Sequence, residues 1–398
     1  MTADEAVRIA SAKANKLKRL GVSLLTLGLL LGILGVGAAK RASPASSGSP
    51  LVVHEWGTIT TRHAPNGTPK GRLNRIGKSE VLPAFVHRYE PPPTKDDPEK
   101  SLTKSPLTPG RPDVTMRLET PVLYFYPPAG SASLPPFDVS VTFRGGIVNE
   151  FYPRGEASVE VDVERVNAKI EAGKIKSWDG AVLNNYVVGG LRWSGVSLKE
   201  AVTIPQTSSH AWLAPRRVRS TGVVTPSGEG ERYLFYRGVA HLDALVQTEL
   251  SAAEVRLRAP RRLHWLRAPS MTIANLWLVD IRPDGSAAFR EYTQIGIAQD
   301  APSRELRRIP LFAGKDYTTG SLGDLRRAMK QALVAAGLFE DEAEAMLETW
   351  KESYYRTPGL RIFYTVPDEW LSYFLPLRVS IPHELKRVLV GRIDLVRR

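Results

Sequence analysis

The sequence predicts a mostly β protein, in the range from all-β to α+β, with an antiparallel, sandwich-like core and a small C-terminal helical element. Three observations lead to this prediction. Short runs of β-branched and aromatic residues, bounded by Pro and Gly, fill most of residues 51–318. No strong helical pattern separates these runs, so the strand and helix alternation of a parallel sheet is missing. Helical periodicity begins only after Thr319.

The first element is an uncharged, Leu-rich run at residues 20–39, which has the length of a helix that crosses a bilayer. Basic residues are denser in the leader, residues 1–19, than after the run, which places the N-terminus in the cytoplasm and makes the run a signal anchor. A cleaved signal peptide is the alternative, since Val36 and Ala38 are small residues before a cleavage site. Both interpretations export the rest of the chain. We expect a membrane-anchored periplasmic or cell-surface domain, or a secreted one if the signal peptide is cleaved.

The exported part divides by composition. Residues 40–50 are small, polar and Pro-containing, which is typical of a flexible tether. Residues 51–318 form the predicted β-rich domain, and the Pro-rich residues 91–112 extend from it as a long loop. Residues 319–398 are expected to pack on the same domain, because two helices and a strand make a thin core for independent folding.

Individual elements follow from turn and capping residues. A hairpin is predicted where residues 273–281 and 287–295 flank a turn that contains Pro283, Asp284 and Gly285. The later elements are a helix from Ser321, which with Asp324 matches a capping box, to Gly337, a helix over 340–355, a strand over 360–366, a short helix over 368–374 and an apolar segment over 385–396.

Composition narrows the class of function. The 54 Lys and Arg against 41 Asp and Glu give a net charge of +13, but most of the basic residues are arginines in a chain rich in Ala, Gly and Pro. A GC-rich genome produces that bias, and the domain is exported, so we expect no nucleic-acid partner. The expected partners are the membrane, through one N-terminal helix, and a polymer or protein of the cell envelope. Without cysteine there is no disulfide, thiolate metal site or cysteine nucleophile.

No nucleotide-binding, zincin or hydrolase motif is present, and we predict no cofactor and assign no catalytic residue. A binding or structural role in the envelope is therefore the leading hypothesis, and a metal-assisted or acid/base hydrolase of envelope polymers is the alternative.

The candidate ligand-binding residues lie in two predicted strands and at one further position. His54, Glu55 and Trp56 stand in the phrase HEWGT, and Tyr236 and Arg237 end an aromatic strand where an arginine can hold a carboxylate or phosphate. His210 completes this set. The plain structural interpretation is a strand-edge His with a paired Glu for His54 and Glu55, and a strand packed on both faces for Tyr236 and Arg237. If these residues meet in one concave pocket, the enzyme hypothesis gains support.

Metal binding has only weak candidates, namely His54, Glu55, His63 and His87, because their spacing fits no known ligand pattern. Neighbouring residues of a strand also point to opposite faces, so His54 and Glu55 can share an ion only in a bulged strand.

Several phrases together resemble a family of uncharacterised bacterial exported or membrane-anchored proteins. They are HEWGT (54–58), ETPVLYFY (119–126), VNEFYP (148–153), LFYRG (234–238), ETWKESYY with GLRIFYTVP (348–367) and RVLVGRIDLV (387–396). The resemblance covers most of the exported part and implies a bacterial envelope protein that folds as one unit. It implies no activity and no catalytic residues.

Overall fold

A computed structural model describes residues 50–73, 82–89, 113–128, 134–161, 163–173 and 187–397. The predicted leader, membrane segment, tether and Pro-rich loop lie outside these residues, apart from Pro50 at the end of the tether. Among the helices of the described part, none has both the length and the apolar character needed to cross a membrane.

Strands account for 47% of the structure, the sheets are mainly antiparallel and helices are few, so the mostly β prediction is confirmed. The strands are β1 (Leu51–His63), β2 (His87–Arg88), β3 (Met116–Tyr126), β4 (Phe137–Arg144), β5 (Gly146–Tyr152), β6 (Glu156–Val161), β7 (Val187–Lys199), β8 (Gly222–Val224), β9 (Gly230–Glu231), β10 (Leu234–Ala240), β11 (Gln247–Leu250), β12 (Glu254–Arg258), β13 (Ser270–Ile281), β14 (Ala287–Ala298), β15 (Glu305–Pro310), β16 (Gly359–Thr365), β17 (Leu377–Val379) and β18 (His383–Leu395).

The helices are short. They are α1 (Val163–Glu171), α2 (His210–Leu213), α3 (Ser321–Ala335), α4 (Glu340–Thr349) and α5 (Asp368–Phe374), with 3₁₀ turns at Pro215–Arg217 and Gly314–Asp316 and a π-helix at Glu352–Arg356. Helix α1 lies between β6 and β7 and interrupts the strand region, where no helix was predicted.

Nine strands form the central sheet, in the order β14-β13-β16-β18-β1-β3-β10-β5-β2. Every neighbouring pair in it is antiparallel except β1 and β18, which run parallel through thirteen consecutive residue pairs from Leu51↔His383 to His63↔Leu395. Strands β17, β4, β7, β8 and β9 form a second sheet, in which β6 also pairs with β7, and β11, β12 and β15 form a third.

The two faces of the central sheet are covered differently. On one face, β4 and β7 of the second sheet and β12 and β15 of the third share a hydrophobic core with central strands β3, β13, β16 and β18. On the other face, α3, α4 and the π-helix bury a second core of aromatic side chains, including Trp277, Phe363 and Tyr354. Strand β1 lies between the two cores and is buried along almost its whole length.

Most elements after Thr319 are confirmed with shifts of a few residues. The predicted hairpin is also confirmed, and each of its strands is three residues longer than predicted at the end away from the turn. The predicted capping box at Ser321 is wrong. Gly320 is the N-cap, and Thr318 Oγ1 accepts a hydrogen bond from the backbone N–H of Ser321 at 3.2 Å. The helix predicted over 340–355 divides into α4 and the π-helix.

The phrases that carry the family resemblance lie next to each other in space. Six of them fall on β16, β18, β1, β3, β10 and β5, which are six consecutive strands of the central sheet. ETWKESYY ends α4 and forms most of the π-helix, where Tyr354 contacts Thr58 of HEWGT through a hydrogen bond of 2.7 Å between their hydroxyl oxygens.

Gly391 of β18 gives a test of this packing. It pairs with Tyr364 of β16, and a Cβ at residue 391 would lie 2.1 Å from the Tyr364 ring carbon Cζ. We expect Gly391→Ala to lower the free energy of unfolding by about 1–3 kcal/mol, because the buried ring must move. Gly296→Ala in β14 is the matched control, since nothing lies within 4 Å of the added Cβ. Equal urea midpoints for the two variants would contradict the packing.

Candidate functional site

The HEWGT strand places its consecutive side chains on both faces of the central sheet. The pairing of β1 with β3 shifts register between Trp56 and Thr58, at the glycine of the phrase. A Cβ on Gly57 would lie 3.0 Å from Pro121 Cα, so the close approach of the two strands at this bulge requires a glycine. His54 points toward α4, whereas Glu55 contacts residues under the opposite face.

His54 is held by a buried carboxylate that the sequence does not reveal. Its Nδ1–H donates to Glu342 Oε2 at 2.7 Å, and the rings of Tyr126 and Phe339 pack around the imidazole with centroids 5.3 and 4.7 Å away. Glu342 is fully buried and also accepts from Tyr126 Oη at 2.8 Å and from the backbone N–H of Phe339 at 2.7 Å. Burial, and then the Glu342 carboxylate, raise the pKa of Tyr126.

This arrangement has a defined chemical capacity. The carboxylate fixes the tautomer of His54, and Nε2 has no hydrogen-bond partner among the described residues. An imidazole held in this way can accept a proton at Nε2, as a general base does.

Glu55 forms a second, separate cluster. Tyr236 Oη donates to Glu55 Oε1 and Arg387 Nε donates to Glu55 Oε2, both at 2.6 Å, and Arg387 Nη1 donates to the Leu375 carbonyl at 2.7 Å. Burial, and then the carboxylate, raise the pKa of Tyr236. Burial alone would lower the pKa of Arg387, but Glu55 and Tyr236 outweigh it and the net direction is upward. Both Glu55 oxygens are satisfied and fully buried, so this cluster has a structural role.

The remaining predicted ligand-binding residues lie elsewhere. Trp56 is fully buried in the helix-covered core, 6.1 Å from the Tyr124 ring. His210 begins α2, and its partly exposed Nε2 lies 3.2 Å from Glu348 Oε1. Arg237 Nη1 lies 3.4 Å from Glu150 Oε2. The six predicted residues are therefore distributed over several clusters on both faces of the sheet.

The weak metal candidates are also apart. Nδ1 of the fully buried His63 lies 2.7 Å from Thr248 Oγ1, and burial lowers the pKa of His63 to about 4. His87 Nε2–H donates to both carboxylate oxygens of Glu229 at 2.9 Å. Within the part of the chain that the structure describes, no three His, Asp or Glu side chains are close enough together to hold a metal ion.

A set of buried charged residues runs across the central sheet, and we call it the buried charge row. It consists of Arg361, Asp394, Arg392, Arg117, Glu119, Arg237 and Glu150. All of them are at most 8% exposed except Asp394, whose side chain is 21% exposed. Asp394 accepts two hydrogen bonds from Arg392, at 2.9 and 2.8 Å. Buried charges are tolerated only when they are paired, so the row fixes the strands that carry it.

One end of the row supports the π-helix. Arg361 Nη1 and Nη2 donate to the backbone carbonyls of Ser353 and Thr357. Burial, together with the neighbouring Arg392, lowers the pKa of Arg361 to about 10. π-Helices are rare and occur often at functional sites. Here the hydrogen bonds from Arg361 to the carbonyls of Ser353 and Thr357 indicate a structural role.

The other end of the row reaches a cleft at the edge of the central sheet. The cleft has a volume of about 660 Å³ and is lined by Leu82, Pro83, Ala84, Val86, His87, Arg88, Tyr89, Glu150, Phe151, Arg154 and Ala157. This volume is in the usual range for ligand sites. Glu150 belongs to both features, because it contacts Arg237 inside the sheet and Arg88 Nε at 3.5 Å in the cleft.

None of the six predicted ligand-binding residues lines this cleft, which the sequence does not predict; of the metal candidates, His87 does. Its residues come from two segments, 82–89 and 150–157, that are brought together by the pairing of β2 with β5. Glu342 was also missed, since its position in the acidic first turn of α4 indicates only a complement to the helix dipole. No signal in the sequence distinguishes it from its exposed acidic neighbours.

Comparison with protein-family models gives no match, and no curated protein is significantly similar to the chain.

The Glu55 cluster predicts a large cost for removing one partner. Glu55→Gln should lower the free energy of unfolding by about 3–5 kcal/mol, because it leaves the Arg387 guanidinium buried without its counter-charge. Glu55→Leu combined with Arg387→Met should cost less than the two single changes added together. The exposed pair of Asp324 and Arg327 is the control, and Asp324→Asn should cost under about 0.5 kcal/mol. Urea unfolding gives these values, and a Glu55→Gln cost as small as the control would contradict the cluster.

His63 predicts a loss of stability in acid. Its pKa is about 4 in the folded protein and about 6.5 when unfolded, so the unfolded chain binds more protons between these values. Above about pH 6.5 this histidine is neutral in both states and does not affect the free energy of unfolding. As the pH drops toward 4, its protonation in the unfolded chain lowers the free energy of unfolding by about 3 kcal/mol. In urea titrations at each pH, His63→Gln should remove this part of the pH dependence, while the exposed His264→Gln should not. An unchanged profile for His63→Gln would rule out a buried neutral imidazole.

Proposed function

We propose that the protein is a membrane-anchored, extracytoplasmic binding protein of the bacterial cell envelope, and that its β-rich, sandwich-like domain holds an envelope polymer in the cleft at the sheet edge. The placement is supported by the apolar residues 20–39 and the basic leader before them. The cleft is the single observation that carries the binding role.

Two features of the site support binding over chemistry. Tyr236 Oη and Arg387 Nε each bind one oxygen of the buried Glu55, so this carboxylate is not free to act as an acid or base. The cleft, by contrast, combines apolar side chains such as Leu82 and Phe151 with a few charged groups, which is the composition of a ligand site. The cleft lies beside β2, the last strand of the central sheet, and several of its lining side chains are exposed, so a segment of a polymer can reach it from solvent.

Hydrolysis of an envelope polymer is the second candidate function, and one observation favours it. The buried Glu342 carboxylate orients His54 so that Nε2 can act as a general base. Substrate access to this group is limited, since the His54 side chain is only 5% exposed.

A co-sedimentation experiment tests the binding role. The full-length chain, extracted from membranes with detergent, is mixed with purified bacterial cell-wall sacculi that carry their attached polymers. We expect the protein to sediment with the sacculi and Ala84→Trp to weaken this binding at least about tenfold, because the indole fills the cleft. Ala252→Trp, at an exposed bend before β12, is the matched control and should bind like the unchanged protein.

Three outcomes would count against the proposal. Binding that Ala84→Trp leaves unchanged would remove the cleft from the function. Recovery of the full-length chain from the soluble fraction without detergent would contradict the membrane anchor. Release of soluble polymer fragments, abolished by His54→Gln, would favour the hydrolase instead.

A further inference from the structure

The charged groups of the cleft define the chemistry of its ligand. Arg88 and Arg154 are the exposed cations of its wall, with the Arg88 side chain 72% exposed. The guanidinium of Arg154 has no hydrogen-bond or ion-pair partner among the described residues. Both side chains are therefore able to turn toward a bound group.

The acidic groups near the cleft are already compensated. Glu150, 4% exposed, lies between Arg237 on the inner side, at 3.4 Å, and Arg88 on the cleft side, at 3.5 Å. Its charge is therefore shared with the buried Arg237, so it neutralises Arg88 only in part. Among the side chains that line the cleft, two arginines, Arg88 and Arg154, therefore stand against the single carboxylate of Glu150.

Glu229 beside the cleft accepts hydrogen bonds from two groups. Both of its oxygens accept from His87 Nε2–H, and Oε2 also accepts from the backbone N–H of Arg154 at 2.6 Å. These contacts fix the backbone of Arg154 next to the cleft, so its side chain extends from a fixed position.

We propose that the cleft recognises an oxyanion, a carboxylate or phosphate carried on a polyhydroxylated chain, with Arg88 and Arg154 as its direct contacts. This inference rests on the proposed binding function. The planar guanidinium matches both oxyanions with paired hydrogen bonds, and such charge-assisted bonds are stronger than neutral ones. The apolar side chains of Leu82, Pro83 and Val86 offer a surface for the carbon face of the chain.

Calorimetric titration of the full-length protein in detergent tests the inference with three probes. Hexagalacturonate carries carboxylates, a six-unit glycerol phosphate oligomer carries phosphates, and maltohexaose is neutral. We expect one of the charged probes to bind, with an affinity that falls as salt is raised, and maltohexaose not to bind. Whichever charged probe binds more tightly identifies the oxyanion.

Variants separate this inference from the proposed function. Arg154→Gln should weaken binding of the charged probe about tenfold, and Arg88→Gln should weaken it as well. Arg327→Gln on α3, whose side chain is 69% exposed, is the matched control and should have no effect.

Equal binding of maltohexaose, or an unchanged affinity in Arg154→Gln, would overturn the oxyanion inference. The proposed function would still stand if Ala84→Trp weakened binding to sacculi as expected. If Ala84→Trp leaves both kinds of binding unchanged, the proposed function fails, and the inference fails with it.

Discussion

The parallel pairing of β1 with β18 is the constraint on which the rest of the structure depends. Thirteen residue pairs join the first described strand to the last one, more than 300 residues later in the chain. The pair lies in the middle of the nine-stranded sheet, with β3 on one side and β16 on the other. Closing so long a loop is costly in chain entropy, so the pair is stable only when the strands between its ends are also in place.

This constraint explains why consecutive residues of HEWGT have unrelated environments. A central strand that is covered on both faces sends His54 toward α4 and Glu55 toward Tyr236. Each polar side chain then needs a partner within its own layer, because burying an unpaired charge is expensive. The HEWGT segment therefore has a structural role between the two cores of the domain. The cleft forms at the edge of the same sheet, where β2 pairs with β5.

The sequence predicts those helices and strands that are determined by short local patterns. The hairpin of β13 and β14, helices α3 and α5 and the strand before α5 follow from turn residues and from apolar periodicity over a few residues. Pairing between distant strands leaves no such local pattern, and the parallel β1–β18 pair was not predicted. The partners of His54 and Glu55 are 288 and 332 residues away, so neither cluster is visible in the sequence. The cleft was missed for the same reason, since its two segments meet only through the register of β2 and β5.

Native-state hydrogen exchange on the full-length chain tests the central claim most directly. If the central sheet depends on the pairing of β1 with β18, amides of these two strands will open with the same free energy, close to that of global unfolding, and will respond equally to urea. Amides of β18 that exchange at a clearly lower opening free energy than those of β1 would contradict the account, because the last strand would then be an addition to a sheet that is stable without it.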